Sequence, residues 1–265
     1  MTALELESVT KYFVTPDGGR YCTLENVSLT VRAGAFVAIV GPSGCGKSTL
    51  LNIAAGLLPP SSGSVRVDAE TLPGLNQRAT YMFQQDALLP WKNVRDNVAL
   101  GLVLAGSGAA EGNARADEWL VRVGLSAFAT HYPSQLSGGM RKRVAMAQNW
   151  ILDRGMLLMD EPFSALDVHT RQRMETELLT LWESADGDRK TVVFVTHDLE
   201  EAIALADEVV VLSAGPASHI VARHPVMLNR PRDLLELRTS AAFVDLYRSL
   251  WAVLRDEVIK SQRRS

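Results

Sequence analysis

Residues 41–48 read Gly41-Pro42-Ser43-Gly44-Cys45-Gly46-Lys47-Ser48, and Thr49 follows. A continuous apolar run over 35–40 precedes this turn, and Leu50, Leu51, Ile53 and Leu57 come after it at helical spacing. Buried strand, glycine-rich turn and helix form the setting in which such a sequence binds phosphate. Gly44 and Gly46 let backbone N–H groups converge on phosphate oxygens, and the helix N-terminus adds the positive end of its dipole. Lys47 supplies a cation for the outer phosphates, and Ser48 a hydroxyl for Mg²⁺. Cys45 is expected to pack rather than to do redox chemistry. A unit of this kind commits the chain to parallel sheet flanked by helices, the α/β class.

The same architecture needs acids on a neighbouring strand. Met156, Leu157, Leu158 and Met159 form an apolar run that ends in Asp160 and Glu161. Both carboxylates then stand at the C-terminal edge of a parallel sheet, where such folds bind ligands. Asp160 is expected to hold Mg²⁺, directly or through water, and Glu161 to polarise an attacking water. Leu136-Ser137-Gly138-Gly139-Met140 is a second glycine-rich helix start, with no strand before it. Alone it reads equally as a plain N-cap; beside the Lys47 turn and the two acids it reads as part of a phosphate site. The cluster Arg141-Lys142-Arg143 behind it is expected to be a solvated face.

Composition narrows the class. Of 265 residues 47% are hydrophobic and 22% charged, too apolar for disorder and too charged for a membrane-embedded chain. Lys and Arg number 27 against 30 Asp and Glu, a formal net charge of −3, so no basic field points to nucleic acid. Cys22 and Cys45 make neither a disulfide framework nor a zinc site. No stretch approaches the roughly 18 apolar residues of a spanning helix, and residues 1–5 do not open a secretory signal. A cytoplasmic protein is expected, with any membrane role reached through a partner.

Alternation over Leu4, Leu6 and Val9, then over Leu24, Val27, Leu29 and Val31, predicts an antiparallel β opening. The helix after Lys47 should stop at Pro59 and Pro60. Strands over 65–67 and 79–83 come next, then a helical insertion over about 93–153, interrupted by a flexible glycine stretch at 106–112. The α/β rhythm resumes with strand 156–159, helix 171–183, a polar loop at 184–190, strand 191–195, a helix from Asp198 and strand 208–212. Phe243, Leu246, Tyr247, Leu250, Trp251, Leu254 and Val258 recur at three and four, predicting one amphipathic helix that docks on its own core or on a partner.

With the 41–48 turn, Gln84, the 136–140 segment, Asp160-Glu161, Ser164-Ala165-Leu166-Asp167 and His197 in this order, the chain resembles the nucleotide-binding subunit of an ABC transporter through about residue 215. The resemblance implies an α/β P-loop NTPase of the ABC ATPase type, with an antiparallel β subdomain and a helical insertion. It implies a nucleotide-binding domain over 1–215 and a C-terminal extension over 216–265. ATP and Mg²⁺ are the ligands it brings. Around ATP it places Gly41, Pro42, Ser43, Gly44, Cys45, Gly46, Lys47, Ser48 and Thr49, with Phe13, a better match than Tyr12, stacking on adenine. Ser48, Gln84 and Asp160 are then the metal residues, and Glu161, His197 and Gln84 the catalytic ones, His197 contacting the γ-phosphate. Ser137, Gly138 and Gly139 close on ATP held by a second subunit, and Asp167 lies at the dimer seam. Met140 stands where the family usually has Gln, which removes one polar side chain and leaves Ser137 and the backbone donors.

Residues 83–94 together with 136–143 are similar to the nitrate/sulfonate/taurine importer group. That likeness implies an energy-coupling ATPase at the cytoplasmic face of the inner membrane. Its partners would be permease membrane subunits, a second ATP-binding subunit in a homodimer and, indirectly, an external solute-binding protein. The solute is not written in this chain, because its contacts belong to the permease and the binding protein. Leu88-Leu89-Pro90-Trp91 either lines a groove for a permease helix or packs as local core. A soluble ABC-class ATPase outside transport would bring a coiled-coil insertion, paired cassettes or a strongly basic surface. A P-loop kinase or GTPase leaves 136–140 and Asp167 unexplained, and a plain binding module leaves Glu161 unexplained beside Lys47.

Overall fold

The computed structural model describes residues 1–184 and 189–263; of the polar loop expected at 184–190, residues 185–188 lie outside the described residues. The opening alternation forms a hairpin, β1 (Thr2–Val14) with β2 (Arg20–Arg32), its inward residues buried. The apolar run becomes β3 (Phe36–Val40), buried throughout, and leads through the glycine turn into α1 (Lys47–Ala54). Next come β4 (Ser62–Val67), β5 (Glu70–Thr71) and β6 (Ala79–Met82). Three helices follow, α2 (Val94–Leu104), α3 (Ala109–Arg122) and α4 (Gly138–Trp150). The chain then alternates through β7 (Met156–Asp160), α5 (Val168–Glu183), β8 (Thr191–Val195), α6 (Leu199–Leu205) and β9 (Glu208–Leu212). It finishes with β10 (Ile220–Pro225), α7 (Leu234–Leu237) and α8 (Ala241–Gln262).

An antiparallel sheet has the order β2-β1-β4-β5, and a second sheet the order β10-β9-β3-β8-β7-β6. The second is parallel from β9 to β6, with β10 antiparallel at its edge. This order sets the C-terminal ends of β3, β8 and β7 side by side, so the glycine turn, His197 and the two acids emerge at one edge. Pleating splits β3 between two cores. Val37 and Ile39 pack with α1 and the antiparallel sheet, while Phe36, Ala38 and Val40 pack with residues of α4, α5, α6 and α8. A third core joins α2, α3 and α4 through Val98, Leu102, Ala116, Leu120 and Val144. Among the described residues no helix is long and apolar enough to cross a membrane.

Two expectations are corrected. The helix after Lys47 ends at Ala54, ahead of Pro59 and Pro60: Gly56 (φ +69) donates to the Ile53 carbonyl and Leu57 to that of Asn52, a left-handed glycine cap. The glycine stretch at 106–112 is largely ordered helix, since Gly108 is the N-cap of α3 and Gly112 lies within it. A methyl at Gly112 would meet Val103 Cγ2 at 3.3 Å, so the glycine lets α3 approach α2. The chain past 215 also begins with a strand, because β10 takes the free edge of β9. Phe243, Leu250 and Leu254 of α8 are buried in the core that contains Ile203 of α6, so the amphipathic helix docks on its own chain.

Candidate active site

The phosphate turn is wrapped too tightly for side chains at Gly41 and Gly46. A methyl at Gly41 would meet Cys45 Sγ at 2.8 Å and the Leu212 carbonyl at 3.1 Å; one at Gly46 (φ +93) would meet Thr23 and Leu24 at 2.9 Å. Cys45 is fully buried in the core shared by α1 and the antiparallel sheet, and burial pushes its thiol up, as expected of a packing residue. Lys47 is buried as well, and its Nζ donates to the carbonyls of Gly41 (3.0 Å) and Pro42 (3.1 Å), arched across its own loop.

Ser48 Oγ donates to Asp160 Oδ1 at 2.9 Å, and the Tyr81 hydroxyl donates to Asp160 Oδ2 at 3.3 Å. Burial raises the Asp160 carboxyl above the usual range, opposed by these two hydrogen bonds; burial followed by the charge of Asp160 raises the Tyr81 phenol. A hydroxyl and a carboxylate in contact are the hard oxygen donors that Mg²⁺ takes, the remaining positions going to water and phosphate.

Glu161 has φ 42, a left-handed conformation that a non-glycine residue adopts only under constraint. Its N–H donates to the Val195 carbonyl at 2.9 Å, clamping it to the end of β8. The side chain then meets His197, with Glu161 Oε2 at 2.9 Å from Nδ1. Gln84 Nε2 donates to Ser164 Oγ (3.3 Å), which in turn donates to the Glu161 carbonyl (3.0 Å), so Gln84 is linked to the acid through a serine.

Phe13 and Tyr21 are cross-strand partners near the ends of β1 and β2. Both line one cleft with Ser43, Gly44, Gly46, Lys47, Ser48, Thr49 and Glu161; Tyr12 is not among its lining residues. Sequence reading missed Tyr21, and the signal was its register opposite Phe13. It also missed Tyr81, whose partner Asp160 lies on another strand far along the chain. Ser137 caps α4, its hydroxyl accepting from the Met140 N–H at 3.3 Å. A methyl at Gly139 would come within 2.7 Å of Thr170. Asp167 caps α5 by accepting from the Thr170 N–H (3.0 Å); the Thr170 hydroxyl first, and then that N–H, hold its carboxyl below the usual range. Ser137, Gly138, Gly139 and Asp167 line a second cleft, which shares no residue with the first.

The expected solvated face at 141–143 is corrected. Arg141 Nε reaches Asp86 at 2.9 Å, Arg143 reaches Glu177 at 2.8 Å, and Lys142, only 3% exposed, lies 3.0 Å from Asp86 and donates to the Gln84 carbonyl at 2.6 Å. The start of α4 is therefore bolted to the Gln84 segment by buried charge.

A phosphate turn after one parallel strand, a hydroxyl on the helix that follows it against a carboxylate at the end of another strand, and a glutamate–histidine pair at the same sheet edge define a P-loop nucleoside triphosphate hydrolase. Residues 24–164 match the family model described as ABC transporter, and the chain belongs to that family. It is 44% identical to a taurine import ATP-binding protein of Pseudomonas aeruginosa over 85% of this chain and 84% of that one. To a nitrate import ATP-binding protein of Synechococcus elongatus it is 41% identical, over 87% and 83% respectively. Among solved structures, a dimeric ATP-binding cassette in a post-hydrolysis state with ADP and Pi matches with a TM-score of 0.73 and 33% identity, covering 85% of this chain and 100% of that one. The chain is an ATP-hydrolysing, energy-coupling subunit of this family.

Proposed function

We propose that two copies of this chain close face to face on ATP, and that the motion drives a membrane permease importing a small anionic or zwitterionic solute of the nitrate, sulfonate or taurine class. The observation that carries the two-copy reading is the separation of the clefts. Ser137, Gly138, Gly139 and Asp167 are preorganised at helix starts, yet they line a cleft that shares no residue with the one at the phosphate turn of their own chain. A second copy brings them to the γ-phosphate. The dimeric cassette among the structural relatives supports this arrangement, and the taurine and nitrate proteins support the solute class.

Phe13 and Tyr21 offer faces to the adenine. Backbone N–H groups of 41–48 and the Lys47 ammonium take the phosphates, Lys47 exchanging the Gly41 and Pro42 carbonyls for phosphate oxygens. Ser48 and Asp160, with Gln84 turned from Ser164, would hold Mg²⁺, which when bound neutralises charge on the β- and γ-oxygens. Glu161 accepts a proton from the water that attacks the γ-phosphorus, while the bond to the β–γ bridging oxygen breaks. His197 orients that carboxylate through the 2.9 Å contact and reaches toward the γ-phosphate.

Trp91 is 71% exposed, which favours a permease contact over local core. The subunit would sit at the periphery of the cytoplasmic face of the membrane, and an external solute-binding protein would complete the importer. Mixing tests the shared site. A Ser137→Arg chain and a Lys47→Ala chain are each inactive as homodimers, and their heterodimer regains one working site. A folded heterodimer with no turnover rejects the arrangement.

A further inference from the structure

Behind His197 lies a cluster of charges that phosphate chemistry does not use. Asp198 caps α6, accepting from the N–H groups of Glu200 (2.8 Å) and Glu201 (3.3 Å). Thr196 Oγ1 accepts from the Asp198 N–H at 3.0 Å and donates to Glu201 Oε2 at 2.6 Å. The turn carrying His197 is thus pinned on both sides of the histidine. From α5, Arg171 donates to Asp198 Oδ2 at 3.1 Å, and its Nε lies 3.7 Å from Glu201. One turn along α5 stands Glu175, with no exposed surface, hydrogen-bonded to Arg238, which also lies 3.8 Å from Glu200.

Arg238 follows α7 in the segment past residue 215. Two guanidiniums therefore serve the buried carboxylates of Glu175 and Glu201, the half-buried one of Asp198 and the exposed one of Glu200. Glu175 Oε1 and Arg171 Nε have no hydrogen-bond partner among the described residues, and the charge of Arg171 already acts on Glu175 beside that of Arg238. Residues four apart on a helix face one another. Without Arg238, the buried Glu175 carboxylate would have Arg171 as its one nearby cation among the described residues, and a buried charge does not remain unpaired.

We propose that Arg238 is a positioning residue for His197: by holding Glu175 it keeps Arg171 on Asp198, and so keeps the 196–198 turn in register with Glu161. The C-terminal segment thereby acts on hydrolysis without touching nucleotide. The inference rests on the reading of His197 as a hydrolysis residue. Burial above all, with Asp198 and Glu175 adding to it against the Thr196 hydrogen bond, pushes Glu201 up to about 7, so the cluster is sensitive to the loss of one cation.

The test is ATP turnover of the full-length chain as a function of ATP and pH. Arg238→Gln lowers kcat about tenfold with KM for ATP nearly unchanged. It also moves the acid limb of the kcat profile to higher pH, because carboxylates short of a cation hold protons more tightly. Adding Glu175→Gln restores both, since Arg171 then has no rival carboxylate. A folded Arg238→Gln chain with native kcat and pH profile overturns the inference, and so does a double variant as slow as the single one. Should Arg238→Gln fail to fold, Arg238→Lys carries the test: its point charge meets Glu175 less well and gives an intermediate kcat and limb, whereas native values overturn the proposal. His197→Ala separates this inference from its premise. Native turnover there removes the role of His197 and the inference with it; lost turnover there, beside an unaffected Arg238→Gln chain, removes the inference alone.

Discussion

Glu161 bears two constraints at once, a left-handed backbone and a side chain held by His197. The backbone strain persists because the N–H is tied to Val195, and it aims the carboxylate across the sheet edge. Glu161→Gln keeps shape and loses the basic oxygen. This variant should bind ATP but turn it over roughly 10²–10⁴-fold more slowly, and size-exclusion chromatography with ATP should show a lasting dimer; a monomer with native turnover would reject the role. Glu201 gives a second residue-scale prediction. Its folded-state pKa of about 7 lies above the ordinary 4.5, so the native chain binds the extra proton and this group's contribution to stability is complete below about pH 4.5 and lost as pH rises through 7. Glu201→Gln accepts the Thr196 hydrogen bond without a charge. It should raise stability by up to about 3 kcal/mol at pH 8 and by little at pH 4.5, read from urea midpoints at the two pH values.

At the scale of elements, α8 is attached by more than its apolar stripe. Glu257, almost fully buried, accepts from the Ala214 N–H at 2.8 Å, tying the helix to the turn after β9. Glu257→Ala should cost about 1–3 kcal/mol in urea unfolding, since it leaves a buried N–H unsatisfied; an unchanged midpoint would show that the stripe alone docks the helix. That stripe was legible because one apolar face leaves a three-and-four signature, and β3, β7 and β8 were legible because strands buried on both faces are apolar throughout. β10 left no such mark. Its residues alternate between half-buried and exposed, and its place is set by the open edge of β9 rather than by its own pattern. Gly56 announced the end of α1 ahead of the prolines, yet a glycine there reads as a stop only once its positive φ is seen. In the site, Lys47, Ser48, Asp160 and Glu161 could be read from local sequence, because residue type and strand edge define their chemistry. Tyr21, Tyr81 and the pairing of Lys142 with Asp86 could not, because each depends on a partner supplied by another element.

The whole molecule gathers two cores on either face of one parallel sheet and a third in the helical insertion, and the 83–94 segment runs between sheet and insertion. Leu88 packs against both neighbouring cores, while Trp91, three residues on, stands in solvent. Trp91→Ala should therefore leave the unfolding midpoint and basal turnover near native, within about 0.5 kcal/mol in stability, while weakening co-purification with the permease. A variant that assembles and transports normally would remove Trp91 from the coupling surface, and an unfolded one would return it to the core.

The separation of the two clefts on each chain also sets the order of the reaction. If every working site draws its parts from two chains, turnover in dilute protein rises with the square of concentration until pairs saturate, and halving the protein leaves about a quarter of the rate. A lone subunit, though it carries every residue named above, is then silent. A cell that makes more of this chain than it has permeases to receive it would lose ATP to the surplus only where the free chains are concentrated enough to pair.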